Sequence, residues 1–151
     1  GVHTVEQLYI VESLWKDGYP FAHNIEGIEF TIVKAERYPH LTIIALYRSP
    51  QVSIPRLLSA LCTILGQHSS QNVIIGDFNI NWALESTRQS LYNLMIREKN
   101  FRQLISGFTT DNRTIIDHLY TDLVEEKIYA GTLETYFSDH KAIWAFLKEF
   151  Q

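Results

Sequence analysis

Apolar positions recur along the chain with two periods. In "IEFTIVKA", Ile28, Phe30 and Ile32 alternate with Glu29, Thr31 and Val33, the period of a strand with one buried face. "HLTIIALYR" is almost continuously apolar, as a central strand covered on both faces is. "NVIIGDF" reads as a third buried strand, and "IIDHLYT", "KIYAGTLETY" and "KAIWAFLKEF" as three more. A helical period takes over in "SPQVSIPRLLSALCTILGQ", where Ile54, Leu57, Leu58, Leu61, Ile64 and Leu65 share one face. Pro55 suits a first helical position and Gly66 a stop. "STRQSLYNLMIREKN" gives a second helix with Leu91, Leu94 and Met95 inward, and "FRQLIS" a short element before the polar turn "TTDNRT". Near the start, Thr4 and Gln7 fit a capping box ahead of Leu8, Val11, Leu14 and Trp15, so a first helix or an irregular strand is expected there. "GYPFAHN" is turn-rich. About six strands and two or three helices, with strands beside strands as well as helices, suit a layered α/β or α+β domain.

The length of 151 residues fits one domain, and no repeat or linker divides it. With 46% hydrophobic residues the chain can build a packed core, which excludes the disordered class. Thirteen basic against 17 acidic residues give a net charge of -4. That argues against wholesale adhesion to nucleic acid or membranes through a basic surface, but leaves room for a nuclease whose metal ion offsets phosphate charge. No apolar run reaches the ~18 residues of a membrane span. The single cysteine, Cys62 in "LLSALCTIL", offers no disulfide framework and reads as a small buried hydrophobe. An intracellular location, nuclear or cytoplasmic, follows as the expectation. The start "GVHTVEQLYI" has neither a signal-peptide pattern nor an initiating Met and reads as that of a fragment or a processed product.

Three polar clusters change the picture. Asp77 and Asn79 end an apolar strand in "GDFN". Asp117 and His118 interrupt "RTIIDHLY". Asp139 and His140 stand before the last strand in "YFSDHKAIW". Singly each has a plain structural reading: a turn, a paired buried carboxylate, a loop. Together they collect where ligand groups gather in α/β folds. Carboxylates can hold a hard cation, and a carboxylate-held His can act as a base or as a hydrogen-bond donor, so the set suits metal-assisted phosphoester hydrolysis. His3, His23, His40 and His68 lie in polar contexts and read as surface. Arg48, Arg88, Arg97, Lys99, Arg102 and Arg113 are candidates for phosphate contacts, each with the plainer reading of a solvated cation.

"IIGDFNI", "TIIDHLY" and "YFSDHKAIW" resemble the C-terminal motif series of the endonuclease/exonuclease/phosphatase superfamily, and "ALYRSP" resembles a segment of its non-LTR retroelement branch. The resemblance runs from about Ile28 to Phe146. It implies an α+β fold, a four-layer sandwich of the DNase I-like type, with residues 1–151 forming a single partial domain that is N-terminally incomplete. It implies a metal-dependent endonuclease that nicks DNA with Mg or Mn as cofactor. Asp77 would orient or deprotonate the attacking water, Asn79 would bind phosphate or a metal-bound oxygen, and Tyr47 would sit near the phosphate. Asp139 would be a metal ligand, His140 would stabilise charge on the scissile phosphate, and Asp117 would orient His140. Thr114 would keep a substrate-binding hydroxyl, and Arg48 would contact the DNA backbone. The family's metal-binding Glu finds no match before Tyr47. A domain that is weak or inactive alone is therefore expected, self-associating or pairing with a missing N-terminal segment through an exposed sheet face or edge. Two alternatives stay open: a small-phosphoester phosphatase of the same superfamily, and a degenerate or domesticated remnant serving as a binding module.

Overall fold

The computed structural model describes residues 4–11, 23–34, 40–66, 71–136 and 139–150. Strands β1 (Thr4–Val11), β2 (His23–Ile25), β3 (Ile28–Lys34) and β4 (Leu41–Arg48) precede helix α1 (Ile54–Gly66). Then come β5 (Gln71–Asp77) and helix α2 (Glu85–Tyr92), which runs on as a π-helical stretch over Asn93–Glu98. Strands β6 (Arg102–Gln103), β7 (Asp117–Thr121), β8 (Ile128–Leu133) and β9 (Ala142–Phe150) follow.

The strands form two sheets. The larger has the order β2-β3-β4-β5-β7-β6, and the smaller β1-β9-β8. Among the described strands only the β4–β5 pair is parallel, and α1 supplies its crossover. The alternation of side chains along each strand then builds two cores. Phe30, Ile44, Leu46 and Ile74 point to the helices and pack with Leu57, Leu61, Leu91 and Met95. Ile43, Val73, Ile75 and Leu119 point the other way and meet Ile128, Ile143, Ala145 and Leu147 of the small sheet. Among the described residues the layers are helices, large sheet and small sheet, an α+β sandwich with three of the four layers that the resemblance implies. β4 and β5 lie at its centre and are buried on both faces, as their unbroken apolar runs require.

Several expectations are corrected. Thr4–Val11 is a regular strand, so the capping-box pattern there caps no helix; its ladder to β9 runs from Thr4↔Phe150 to Val11↔Ile143. Leu14, Trp15 and the start of "GYPFAHN" lie outside the described residues. β2 and β6 are strands too short to carry a readable alternation. Cys62 is exposed, because Leu57, Ala60, Leu61 and Ile64 fix the buried face of α1 and Cys62 falls outside it. β7 starts at Asp117, so that carboxylate opens a strand and does not interrupt one.

Candidate active site

β5 delivers the first carboxylate. A Cβ on Gly76, whose φ is +158°, would lie 1.8 Å from the Leu46 carbonyl oxygen, so the residue before Asp77 must be glycine. Asp77 ends the strand, and its Oδ1 accepts the Asn79 backbone N–H at 2.9 Å. This Asx-type turn carries Asn79 into the left-handed region, at φ 52°, which asparagine tolerates well. The Asn79 side-chain amide donates to the Arg48 carbonyl at 2.6 Å. In return the Arg48 guanidinium donates to the carbonyls of Phe78 and Asn79, each at 3.1 Å, and to that of Val52 at 2.9 and 2.6 Å. Arg48 is therefore a buried lock on the "GDFN" turn and not the DNA-backbone contact expected of it. Burial lowers its pKa from the usual value, while the charge of Asp77 acts against that shift.

β7 delivers the second carboxylate opposite the first, since Asp77 and Asp117 are register partners. Tyr47 is the partner of Asp77 on the other side, and Glu29 that of Tyr47, so one lateral row of four residues crosses β3, β4, β5 and β7. At about 4.8 Å per strand, Glu29 stands roughly 10 Å from Asp77. The start of β7 is held by Thr109, whose Oγ1 accepts the backbone N–H groups of Ile116 and Asp117 at 3.0 and 3.2 Å.

His140 comes from the loop before β9. That loop lies along residues 109–111 through Lys141 N–H to Thr109 O, Asp111 N–H to Asp139 O and a bridge between Thr110 and His140. Its Nδ1 lies 3.0 Å from Asp117 Oδ2. The hydrogen bond with Asp117 raises the pKa of His140 above 6.5; burial opposes the shift, and the charges of Asp117, Asp77 and Asp139 add to it. The imidazolium is thereby favoured. Donor atoms of Asp77, Asp117 and His140 all lie within 4.8 Å of one another. Two carboxylates that close suit a divalent cation, while the protonated imidazole beside them is a donor to anionic oxygen. Among the described residues no Glu belongs to this cluster.

The structure thus brings together Asp77, Asp117 and His140, with Tyr47 beside them in register and Asn79 two residues beyond Asp77. Asp139 is exposed and outside the cluster, whereas His140 is buried within it, so Asp139 acts on the imidazole only through its charge. The Thr114 hydroxyl is paired with that of Thr110 at 2.6 Å, which ties the turn across its own mouth.

Three residues of the site were not singled out from the sequence. Thr109 and Thr110 lay inside a turn pattern with no spacing signal. Asn81, whose Oδ1 accepts the N–H groups of Ile115 and Ala83, is legible only as a polar residue between Ile80 and Trp82. His118, singled out with Asp117, points to the opposite face. Its Nε2 is 2.8 Å from the carbonyls of both Ile80 and Ile115, and its Nδ1 2.8 Å from the Tyr120 hydroxyl. Those partners place the proton on Nε2 and make the Tyr120 O–H the donor to Nδ1. Burial lowers the pKa of His118 to about 4, against the pull of the two carbonyls.

A two-sheet sandwich with helices on one face and a carboxylate–imidazole cluster at the strand ends is the DNase I-like arrangement. A family model described as endonuclease-reverse transcriptase matches residues 41–144. The chain belongs to the endonuclease/exonuclease/phosphatase family, which is generally dependent on a divalent metal. It is similar in structure to a protein of that family from Leptotrichia buccalis, at 13% identity and a TM-score of 0.52, covering 97% of this chain and 72% of that one. A family protein from Bacteroides thetaiotaomicron is similar at 14% identity and a TM-score of 0.50, with 80% of this chain and 55% of that chain covered. The chain therefore spans little more than half the length of the latter. No curated protein matches it. Among the described residues no helix is long and apolar enough to cross a membrane.

Proposed function

We propose that the chain is the catalytic part of a metal-dependent endonuclease that nicks DNA, of the retroelement type and intracellular, nuclear or cytoplasmic. The observation that carries this reading is the Asp117–His140 pair standing beside Asp77 at the ends of β5 and β7. The description of the matching family model supports the retroelement origin.

Asp117 holds the imidazole of His140 in one orientation and favours its charged form. His140 then donates at Nε2 to a phosphoryl oxygen as negative charge develops there. Asp77 accepts a proton from the attacking water as its oxygen bonds to phosphorus, and the leaving oxygen departs as an alkoxide that takes a proton from solvent. Asn79 and Arg48 fix the turn that presents Asp77. A magnesium or manganese ion would be held by the carboxylates of Asp77 and Asp117, with Asp139 adding negative charge from the rim, and would neutralise charge on the phosphate. The isolated chain would be weak, because its cluster holds two carboxylates and no Glu.

Nicking of supercoiled plasmid is to be measured with Mg²⁺ or Mn²⁺, with EDTA, and in Asp77→Asn and His140→Ala. Metal-dependent nicking that falls by about 10²-fold or more in each variant is expected. Nicking unchanged in Asp77→Asn would sink the assignment. A chain that binds DNA without cutting it would be the non-catalytic binding module instead, a reading favoured by the same missing carboxylate. Turnover of small phosphomonoesters without plasmid nicking would favour the phosphatase.

A further inference from the structure

Asp77 and Asp117 form the last rung of the β5–β7 ladder. Two carboxylates whose ligand atoms lie within 4.8 Å repel each other, and at the last rung that repulsion acts to splay the strand ends. The chain opposes it by lacing the segment after Asp77 onto the segment before Asp117. Phe78 N–H donates to the Ile116 carbonyl at 2.9 Å and Trp82 N–H to the Ile115 carbonyl at 2.8 Å. In return Ile115 N–H donates to Asn81 Oδ1 at 3.0 Å.

His118 closes the lacing from behind. Neighbours on a strand face opposite ways, so its ring stands on the other side of the large sheet from the Asp117 carboxylate. The Nε2–H is shared between the carbonyls of Ile80 and Ile115, each at 2.8 Å and one in each segment. The ring stacks on Phe78, the neighbour of Asp77, with 11° between the planes. Trp82 meets it edge-on at 5.6 Å, and the Tyr120 hydroxyl donates to Nδ1. His118 is fully buried, so both ring nitrogens are spent on the protein.

We propose that His118 is a positioning residue, which clasps the Ile80 and Ile115 carbonyls together and so holds Asp77 and Asp117 at one separation. The inference rests on the reading that these carboxylates hold the metal, and adds that their affinity for it is set from the opposite face of the sheet. Hard cations such as Mg²⁺ demand near-ideal geometry, and groups that orient the ligands matter to affinity for that reason.

The test compares wild type with His118→Phe, His118→Gln and, as a control, Ile64→Ala. Phenylalanine keeps the stack on Phe78 and gives neither carbonyl a donor, whereas the glutamine amide returns an N–H near the place of Nε2. Ile64 is buried near the end of α1 that leads into β5, at the far end of the sheet from Asp77, so its truncation costs stability away from the clasp. Amide hydrogen exchange is read at Phe78, Trp82 and Ile115 against the middle of β4. Mn²⁺ binding is read by electron paramagnetic resonance, with Asp77→Asn marking binding at the cluster. In His118→Phe the three amides should exchange about 10-fold faster relative to β4, and Mn²⁺ should bind about 10-fold more weakly. His118→Gln should restore most of both, and Ile64→Ala should change neither the ratio nor the affinity. Tyr120→Phe frees Nδ1 while keeping the rings in place; it should move both readouts the same way by a smaller factor, and carries the test if His118→Phe does not fold. Exchange that rises no more at the three amides than in β4 overturns the clasp, and so does unchanged Mn²⁺ affinity. A wild type that binds no Mn²⁺, or no more tightly than Asp77→Asn, sinks the metal reading instead, and the clasp then stands or falls by the exchange ratio.

Discussion

A single buried cation accounts for the shape of the "GDFN" turn. Arg48 was expected to contact the DNA backbone because "ALYRSP" resembles a segment of the retroelement branch. In the fold its guanidinium is used up on three backbone carbonyls, which a lysine's point charge could not satisfy together. His118 is the second such residue. It is fully buried and neutral, stacked on Phe78 at 5.0 Å between ring centres. Its folded pKa, about 4, lies below the ordinary 6.5. The unfolded chain therefore takes up a proton first as pH falls. The stability that neutral His118 provides is complete above about pH 6.5 and is lost as pH falls toward 4, by about 3 kcal/mol in all. Urea denaturation of wild type and His118→Gln at pH 7, 5.5 and 4.5 tests this. The stability gap between them should narrow as pH falls, and a constant gap would refute the assignment.

At the scale of elements, the segment between β6 and β7 does more than connect. Thr109 accepts two N–H groups at the start of β7, and Thr110 bridges to the residue that carries the imidazole. Thr109→Val keeps the shape and deletes the acceptor. A stability loss of about 1–3 kcal/mol is expected from the stranded N–H groups. The His140 imidazole should also lose part of its raised pKa, read by NMR titration; an unshifted titration would leave Thr109 with a purely local role. None of this was legible beforehand. The strands and helices announced themselves because each repeats a burial pattern over many residues: β4 and β5 by unbroken apolar runs, α1 by its spaced leucines. Asp77, Asp117 and His140 could be found because each is charged or ionisable beside an apolar strand. A threonine in a polar turn carries no such contrast, and neither does the direction of a side chain. That is why Asp139 drew attention equal to that of His140 although only the latter turns inward, and why Cys62 read as buried.

At the scale of the whole molecule, the small sheet presents an edge strand. β8 stands at its edge, and Tyr129 and Leu133 on that strand are 47% and 48% exposed. An edge strand with exposed apolar side chains favours association. We propose that the purified chain self-associates through this strand, or pairs there with a further segment. Sedimentation velocity should show mass rising with concentration, and Tyr129→Lys with Leu133→Lys should shift the equilibrium back toward monomer. Concentration-independent monomer in the wild type would remove the proposal.

The lateral row that ends in Asp77 and Asp117 has a consequence in time. Tyr47, Asp77, Asp117 and His140 are far apart along the chain and are joined only by pairings β4–β5 and β5–β7 and by the loop laid against Thr110. Such contacts close large loops of unfolded backbone, which makes them slow and late to form. Among the described residues no single helix or hairpin holds two of these four side chains. The cluster would come together only once those pairings and the loop had locked, and would come apart with the first of them to open.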